Sequence, residues 1–496
     1  MTDAIAPTRP KGPVTGVDAR HKDRPHAGWW PLVVIASAHL MAILDTTVVF
    51  VALPSAQRSL GISLGGRVWV VTAYTLAFSA LLLLGGRLAD RLGARRTLMT
   101  GVIGFACASA IGGASIDGAM LISCRLVQGA FAALLVSSTK SMLVTVYSDP
   151  RERSKAIGIF TATLTTGLAV GLVLGGVLTT ALGWRWCLYV NVPLSMVTIF
   201  GAPRVLPSIP GRPEVRIDVV GALLAALAMG TLVYGLATAA SDGWISGAVI
   251  TSLCCAVVLG ALFVRRQAIR EHPLLPLRIL RDRNRGGAQI AMIFNSLSTL
   301  GMLLILTYEL QSVMRYSALA TGLSLVPFAA CAGLGSAVIA PRLTARFAPK
   351  WMITSGILLS AAGLVPLIAI NPSSHYVPLI LIAEIIEGIG TGIGGPPTLA
   401  TTLRGVLPGD TGSASAASSA AGQLGSSIGA ALLNTIAATA TAAYIAAHSH
   451  SLANTAAPIV HGYNVAMACG AILLVLAAIP VFFMINAPGP RNTPVR

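Results

Sequence analysis

At 496 residues, 55% hydrophobic and only 10% charged, the chain lies outside the soluble globular class, in which about a quarter of residues carry charge. Seven cysteines sit in or near apolar runs without metal-ligand spacing, so they read as small core residues, and no metal or other cofactor is expected. A net charge of +17 would suit nucleic acid, but the placement of the basic residues points to a membrane, and no nucleic-acid partner is expected.

Residues 1–28 form a polar, basic, proline-containing tail, expected to be disordered and cytoplasmic. Apolar runs follow at 30–52, 68–85, 98–116, 120–146, 156–182 and 187–206. Two more, 217–240 and 245–264, are joined by Ser241-Asp242-Gly243-Trp244 and followed by a polar segment, 265–285, with seven arginines. Runs at 287–310, 320–341, 351–370, 376–400, 411–444 and 463–486 complete fourteen. Each is long enough to cross ~30 Å of hydrocarbon as a helix. The 411–447 stretch is rich in Ala, Ser, Thr and Gly and resembles a linker by composition, but in a membrane such residues permit close helix contact.

The expected architecture is an all-α membrane protein with fourteen spans: a six-helix bundle over 29–206, a two-helix insert with a cytoplasmic loop over 207–286, a second six-helix bundle over 287–486, and a cytoplasmic tail from 487 to 496. Of the 34 Lys and Arg residues, only Arg58, Arg67, Arg185 and Arg315 fall on the outer face, and Arg125 and Lys140 lie within a helix. The remainder are on the side of the two termini, so both termini are expected in the cytoplasm. A weak repeat supports two related bundles: the segment Arg87-Leu88-Ala89-Asp90-Arg91-Leu92 is echoed by Arg342-Leu343-Thr344-Ala345-Arg346-Phe347, and Arg125-x-x-Gln128-Gly129 by Glu384-x-x-Glu387-Gly388.

Residues 85–98, Gly-Gly-Arg-Leu-Ala-Asp-Arg-Leu-Gly-Ala-Arg-Arg-Thr-Leu, are expected to turn the chain at the cytoplasmic face. Their pattern of Gly86, Asp90, Arg91, Gly93 and Arg95 between the second and third spans resembles the signature loop of the major facilitator superfamily. That resemblance implies a gating loop that latches one conformational state. In the first span, Leu44-Asp45-Thr46-Thr47-Val48-Val49-Phe50-Val51-Ala52-Leu53-Pro54 is similar to a motif of the fourteen-span drug:proton antiporters of that superfamily. The resemblance implies that Asp45 takes part in proton coupling or contacts a cationic substrate. From the residues alone, a structural acid paired with Thr or a backbone group fits as well. Trp69-Val-Val-Thr-Ala-Tyr74 in the second span also fits the family pattern, and Tyr74 is a candidate cavity wall, with plain packing as the alternative for an isolated aromatic.

Arg125-Leu126-Val127-Gln128-Gly129 resembles the superfamily's Arg-x-x-x-Gly motif, with Arg125 and Gln128 on one helix face. An arginine inside a span must face the bundle interior, either to link conformation to a carboxylate's proton affinity or as a permanent structural partner. Lys140 is expected to snorkel to the cytoplasmic interface. Gly167, Gly171, Gly175 and Gly176 resemble the glycine-lined fifth helix of the antiporters, with Leu172 where their proline stands, and a plain packing face explains them equally well. Trp184-Arg185-Trp186 and Asn191-Val192-Pro193 match a further run common in the family.

Three acids mark the second half. Glu309 ends its span at the outer face, where a water-exposed terminal acid is the alternative reading. Glu384 and Glu387 share a face with no basic neighbour in sequence, which makes them candidate proton carriers or a cation-attracting cavity wall, with structural pairing as the alternative. Because Arg125 occupies the position equivalent to Glu384, an Arg125–Glu384 pair across the central cavity is a further expectation. No HExxH, phosphate-binding loop or nucleophile elbow supports an enzyme. The resemblance implies proton-coupled efflux of drugs or other amphipathic small molecules by a monomer in a bacterial plasma membrane, in contact with lipid. A lipid or cell-envelope precursor transporter on the same scaffold is the alternative, and a non-transporting anchor or sensor is another.

Overall fold

The computed structural model describes residues 29–63, 66–147, 150–208, 210–211, 214, 218–270, 273–274, 277–406, 411–448 and 456–487. The tail over 1–28 and the terminal residues from 488 onward lie outside the described residues. The described chain is helical, without strands. The first half comprises α1 (Trp29–Leu60), α2 (Gly66–Leu92), α3 (Ala94–Gly113), α4 (Gly118–Val146), α5 (Pro150–Ala181), the short α6 (Trp186–Tyr189) and α7 (Asn191–Val205). The insert is α8 (Val219–Asp242) and α9 (Gly247–Ile269), followed by the short α10 (Leu277–Arg281). The second half comprises α11 (Arg283–Tyr308), α12 (Ala318–Ser324), α13 (Val326–Leu334), α14 (Ala340–Thr344), α15 (Pro349–Ile368), α16 (Leu379–Leu403), α17 (Thr411–Ala447) and α18 (Ala457–Met484).

Each expected span coincides with a helix or a helix series. Among the described residues, eleven helices, or twelve with α2 taken as one span, are long and apolar enough to cross a membrane. Two boundaries differ from expectation. The 85–98 segment is not an extended loop: α2 runs on through Arg87, Asp90 and Arg91 to Leu92, and α3 begins at Ala94. Gly93 alone, at φ +93°, breaks the helix, because a residue without Cβ enters that region without strain. The span expected over 320–341 is broken into α12, α13, a π-helical turn (Gly335–Ile339) and α14. Five helices start on a side-chain cap: Asp117, Asp218, Ser246, Asp282 and Ser317 each accept a backbone N–H in the first turn.

The apolar core divides unequally along the bundle. Leu32, Ile35, Met41, Phe78, Leu98, Phe105 and Leu135 form a core belonging to the first half, toward the end where Gly93 turns the chain, here termed the basic end. Toward the opposite end, Val48–Leu53 of α1 share one continuous core with Leu303–Leu306 of α11, Phe328 of α13 and the interior of the second half. The apolar core is therefore continuous between the two halves at the end remote from Gly93. The insert packs on both: Trp69 of α2 lies 6.2 Å from the Tyr234 ring of α8, and Thr435 of α17 donates to the Leu236 carbonyl at 2.7 Å. Val257, Val258 and Leu262 of α9 stay exposed, as an apolar face toward lipid requires.

Candidate functional site

The first half buries a polar hub on α1, α3, α4 and α7, in which Asn191 Oδ1 lacks a partner among the described residues. Asp45 is fully buried and ion-pairs with Arg125, itself 1% exposed. Asp45 Oδ1 also accepts from Gln128 Nε2 at 3.2 Å and from Asn191 Nδ2 at 2.8 Å. Gln128 Oε1 accepts from Arg125 at 3.0 Å, and Gln128 Nε2 also donates to Ser109 at 2.7 Å. The guanidinium further donates to the Val70 carbonyl at 3.2 Å and lies 4.4 Å from the centre of the Tyr74 ring. Both carboxylate oxygens are thus satisfied, the condition under which an ion pair can persist in a low-dielectric interior.

The spacing of Arg125 and Gln128 on one face is as the sequence indicates, and Tyr74 joins them through its ring. The expected Arg125–Glu384 pair does not form. Arg125 turns into its own half, where Asp45 lies within reach, while Glu384 accepts from Tyr376 Oη at 3.1 Å. The structure adds Asn191 and Ser109 to the hub. Asn191 carried a signal in its Asn-Val-Pro run, obscured by the adjacent tryptophans, whereas nothing local distinguishes Ser109.

The acids of the second half are buried too, but not closed. Glu384 and Glu387 are fully buried, and Glu309 is 2% exposed. Glu387 Oε1 accepts from Thr299 at 2.8 Å and from Thr391 at 3.3 Å, while Oε2 has no hydrogen-bond partner among the described residues. Glu384 Oε1 is likewise unpartnered, as are both oxygens of Glu309. Glu309 is not a water-exposed terminal acid: α11 continues beyond it as a π-helical turn (Glu309–Val313), and its side chain borders a small cavity with Tyr463 and Asn464. Glu384 and Glu387 share a helix face, yet each is held by its own neighbours.

Polar contacts between the halves gather at the end remote from Gly93. Arg67, expected on an outer face, is 7% exposed and donates to Asn434 Oδ1 of α17 at 3.1 and 2.6 Å. Its guanidinium lies 3.9 Å from the centre of the Tyr308 ring, and Tyr308 Oη donates to Gln57 at 2.7 Å. Gln311 Nε2 donates to the Val51 carbonyl at 2.9 Å. The glycines of α5 pack against α1 of their own half, except Gly176, which meets the opposite half. A Cβ on Gly167, Gly171 or Gly175 would strike α1, at Leu40, Thr47 and Val48 respectively, and one on Gly176 would strike the backbone of Ala318 and Leu319 in α12. At the basic end, Arg87 donates to the Pro273 carbonyl at 2.9 Å and Arg95 to the Leu206 carbonyl at 3.1 Å. Gly86 has open space around it, and Arg91 is exposed.

Among the described residues no group of three or more His, Cys, Asp or Glu side chains could hold a metal. Residues 35–430 match the family model of the Major Facilitator Superfamily. The chain belongs to that superfamily. This major facilitator is 41% identical over 463 residues to the puromycin resistance protein pur8 of Streptomyces alboniger, covering 92% of each chain. It is 36% identical to the cephamycin export protein CmcT of Amycolatopsis lactamdurans, covering 77% of this chain and 79% of the relative. It is 30% identical to the multidrug efflux pump LfrA of Mycolicibacterium smegmatis, covering 79% and 77%. In fold it is similar to the inward-facing crystal structure of a bacterial homologue of the human lysosomal transporter Spinster, with a TM-score of 0.66 at 16% identity over 94% of this chain and all of that one. The chain is a multi-pass membrane transporter, not an enzyme.

Proposed function

We propose that this major facilitator exports antibiotics or related amphipathic small molecules from a bacterial cell in exchange for protons. Export of antibiotics is supported by relatives named for antibiotic resistance and export, matched over 92% and 79% of their length. The observation that carries proton coupling is the set of buried carboxyl oxygens on Glu309, Glu384 and Glu387 that have no hydrogen-bond partner among the described residues. Ionised, such groups are costly inside a membrane, and a proton removes the charge. The Asp45–Arg125–Gln128–Asn191 hub then acts as a rigid polar joint of the first half, and the second half carries the protons.

With the basic end in the cytoplasm, as the positive-inside distribution favours, both termini are intracellular and the seam of Arg67, Asn434 and Tyr308 closes the outer side. The molecule works as a monomer, its two halves rocking about a midplane cavity. In this scheme the Gly86, Asp90, Arg91, Gly93 and Arg95 turn latches the cytoplasmic side in the alternate state. One proton moving down ~100 mV supplies about 2.3 kcal/mol. At about 1.4 kcal/mol per decade, that sustains roughly a 40-fold gradient of a neutral solute.

Everted vesicles with a preformed pH gradient test the reading, with puromycin as the probe. Puromycin should release the gradient through the wild type and not through Glu384→Gln/Glu387→Gln. A double variant that releases it as the wild type does would remove proton coupling from these acids.

A further inference from the structure

Two polar side chains near the basic end are left over by the hub. Lys140 sits on α4 six residues before its last residue, Val146, hence about 9 Å inside that helix end. It does not snorkel: its Nζ donates to Ser419 Oγ of α17 at 2.8 Å, pointing across the boundary between the halves. A hydroxyl engages one of the three donors of an ammonium. No ion pair to Lys140 occurs among the described residues, whereas Arg125 has Asp45, and Arg67 has two hydrogen bonds to an amide oxygen and an aromatic face.

His39 of α1 stands in the same region. It is 4% exposed, its ring stacks on Phe160 of α5 with centroids 4.2 Å apart, and neither ring nitrogen has a hydrogen-bond partner among the described residues. A buried imidazole with both nitrogens idle is an exception among buried polar groups. Ala38 and Met41 beside His39, Val136 and Leu143 on the turns either side of Lys140, and Phe160 itself belong to one buried cluster. An ammonium with spare donors, an imidazole able to donate, and an aromatic ring therefore meet on three helices of one half, with a hydroxyl from the other opposite them.

We propose that Lys140 and His39 form a subsite for an anionic group, a carboxylate or phosphate carried on an apolar body, which enters between the halves from the basic end. The ammonium supplies charge-assisted hydrogen bonds, the His39 N–H adds another, and Phe160 takes the adjoining apolar part. The anion comes from a transported solute or from the headgroup of a membrane lipid. This site deepens the export reading by naming a substrate class, but its test uses no ion gradient, so failure of proton coupling leaves it untouched.

The test is fluorescence polarisation with purified full-length protein in phosphatidylcholine nanodiscs. The probes are rhodamine B, a free carboxylate, and its methyl ester, which lacks only the anion. The wild type should favour the acid by about tenfold or more, the range for a hydrogen bond to a charged group. Lys140→Met should abolish that preference with ester affinity unchanged, and Lys140→Arg should keep it. His39→Phe should weaken acid binding less than Lys140→Met does. A wild type without acid preference, or a preference that survives Lys140→Met, overturns the proposal. Repeating the titration in phosphatidylglycerol nanodiscs separates the sources. Competition seen in the wild type and lost in Lys140→Met identifies a lipid headgroup as an occupant. A wild-type preference undiminished by phosphatidylglycerol identifies a solute anion.

Discussion

Both halves of the molecule bury acids, but they complete them differently. In the first half every oxygen of Asp45 is bonded, to Arg125, Gln128 and Asn191. In the second, Glu309, Glu384 and Glu387 each keep at least one oxygen without a partner among the described residues. A satisfied ion pair holds helices together, and removing one member strands the other as an uncompensated charge. An acid with a spare oxygen is held loosely enough to gain or lose a proton without dismantling its surroundings. On the proposed reading, this difference gives the two halves separate tasks.

The largest expected effect lies in the hub. Asp45→Ala leaves the Arg125 guanidinium buried and unpaired, and should cost about 3–5 kcal/mol of stability. A thermal melt of the detergent-purified protein checks it, and Asp45→Asn/Arg125→Gln should recover much of the loss. A melt of Asp45→Ala within a degree or so of wild type would break the contrast between the halves.

Next comes Gly171→Leu, which forces a side chain into Thr47 two residues from Asp45. Overpacking of that kind costs about 1–3 kcal/mol, and the same melt should show it together with reduced export. The Asp218–Arg266 pair serves as a control at the edge of the membrane. Burial alone would raise the Asp218 carboxyl, but hydrogen bonds from Arg266, the Gly221 N–H and Gln267, with the arginine's charge, outweigh it and hold the group below the ordinary carboxylate range. A depressed folded value gives stability that is complete at neutral pH and lost as pH falls through that value. Asp218→Asn should therefore cost about 1 kcal/mol at neutral pH and progressively less in acid. Smallest in stability is Glu387→Gln, which keeps an oxygen to accept from Thr299 and Thr391. Its melt should move by about 0.5 kcal/mol or less, while pH-gradient release by puromycin is impaired.

Much of the molecule was legible from local pattern. The apolar runs located the helices because a membrane helix must bring about 20 apolar residues, whatever it packs against. Arg125 and Gln128 were placed on one face because helical spacing alone decides that. The glycines of α5 were recognisable as a close-packing face, but not that Gly176 faces the opposite half. Other features had no local signature. Ser109 and Asn191 join the hub only through helix crossings, and the partner of Arg125 was assigned to the wrong helix because pseudo-symmetry says nothing of which way a long side chain turns. The extension of α2 has no local signature, because a basic, glycine-bearing stretch has the composition of a loop, whereas only Gly93 has the backbone of one.

By itself the sequence determined the all-helical membrane class, the helix positions and the list of ionisable groups placed among apolar residues, since these depend on composition and on one helical repeat. Only the tertiary structure decided which of those groups are satisfied. Asp45 closed by Arg125, Lys140 turned toward Ser419, and Arg67 seated on Asn434 are contacts between residues 80, 279 and 367 positions apart in the chain. The physical reason is that the cost of a buried charge is set by the atoms within about 3 Å of it, and those atoms come from other helices.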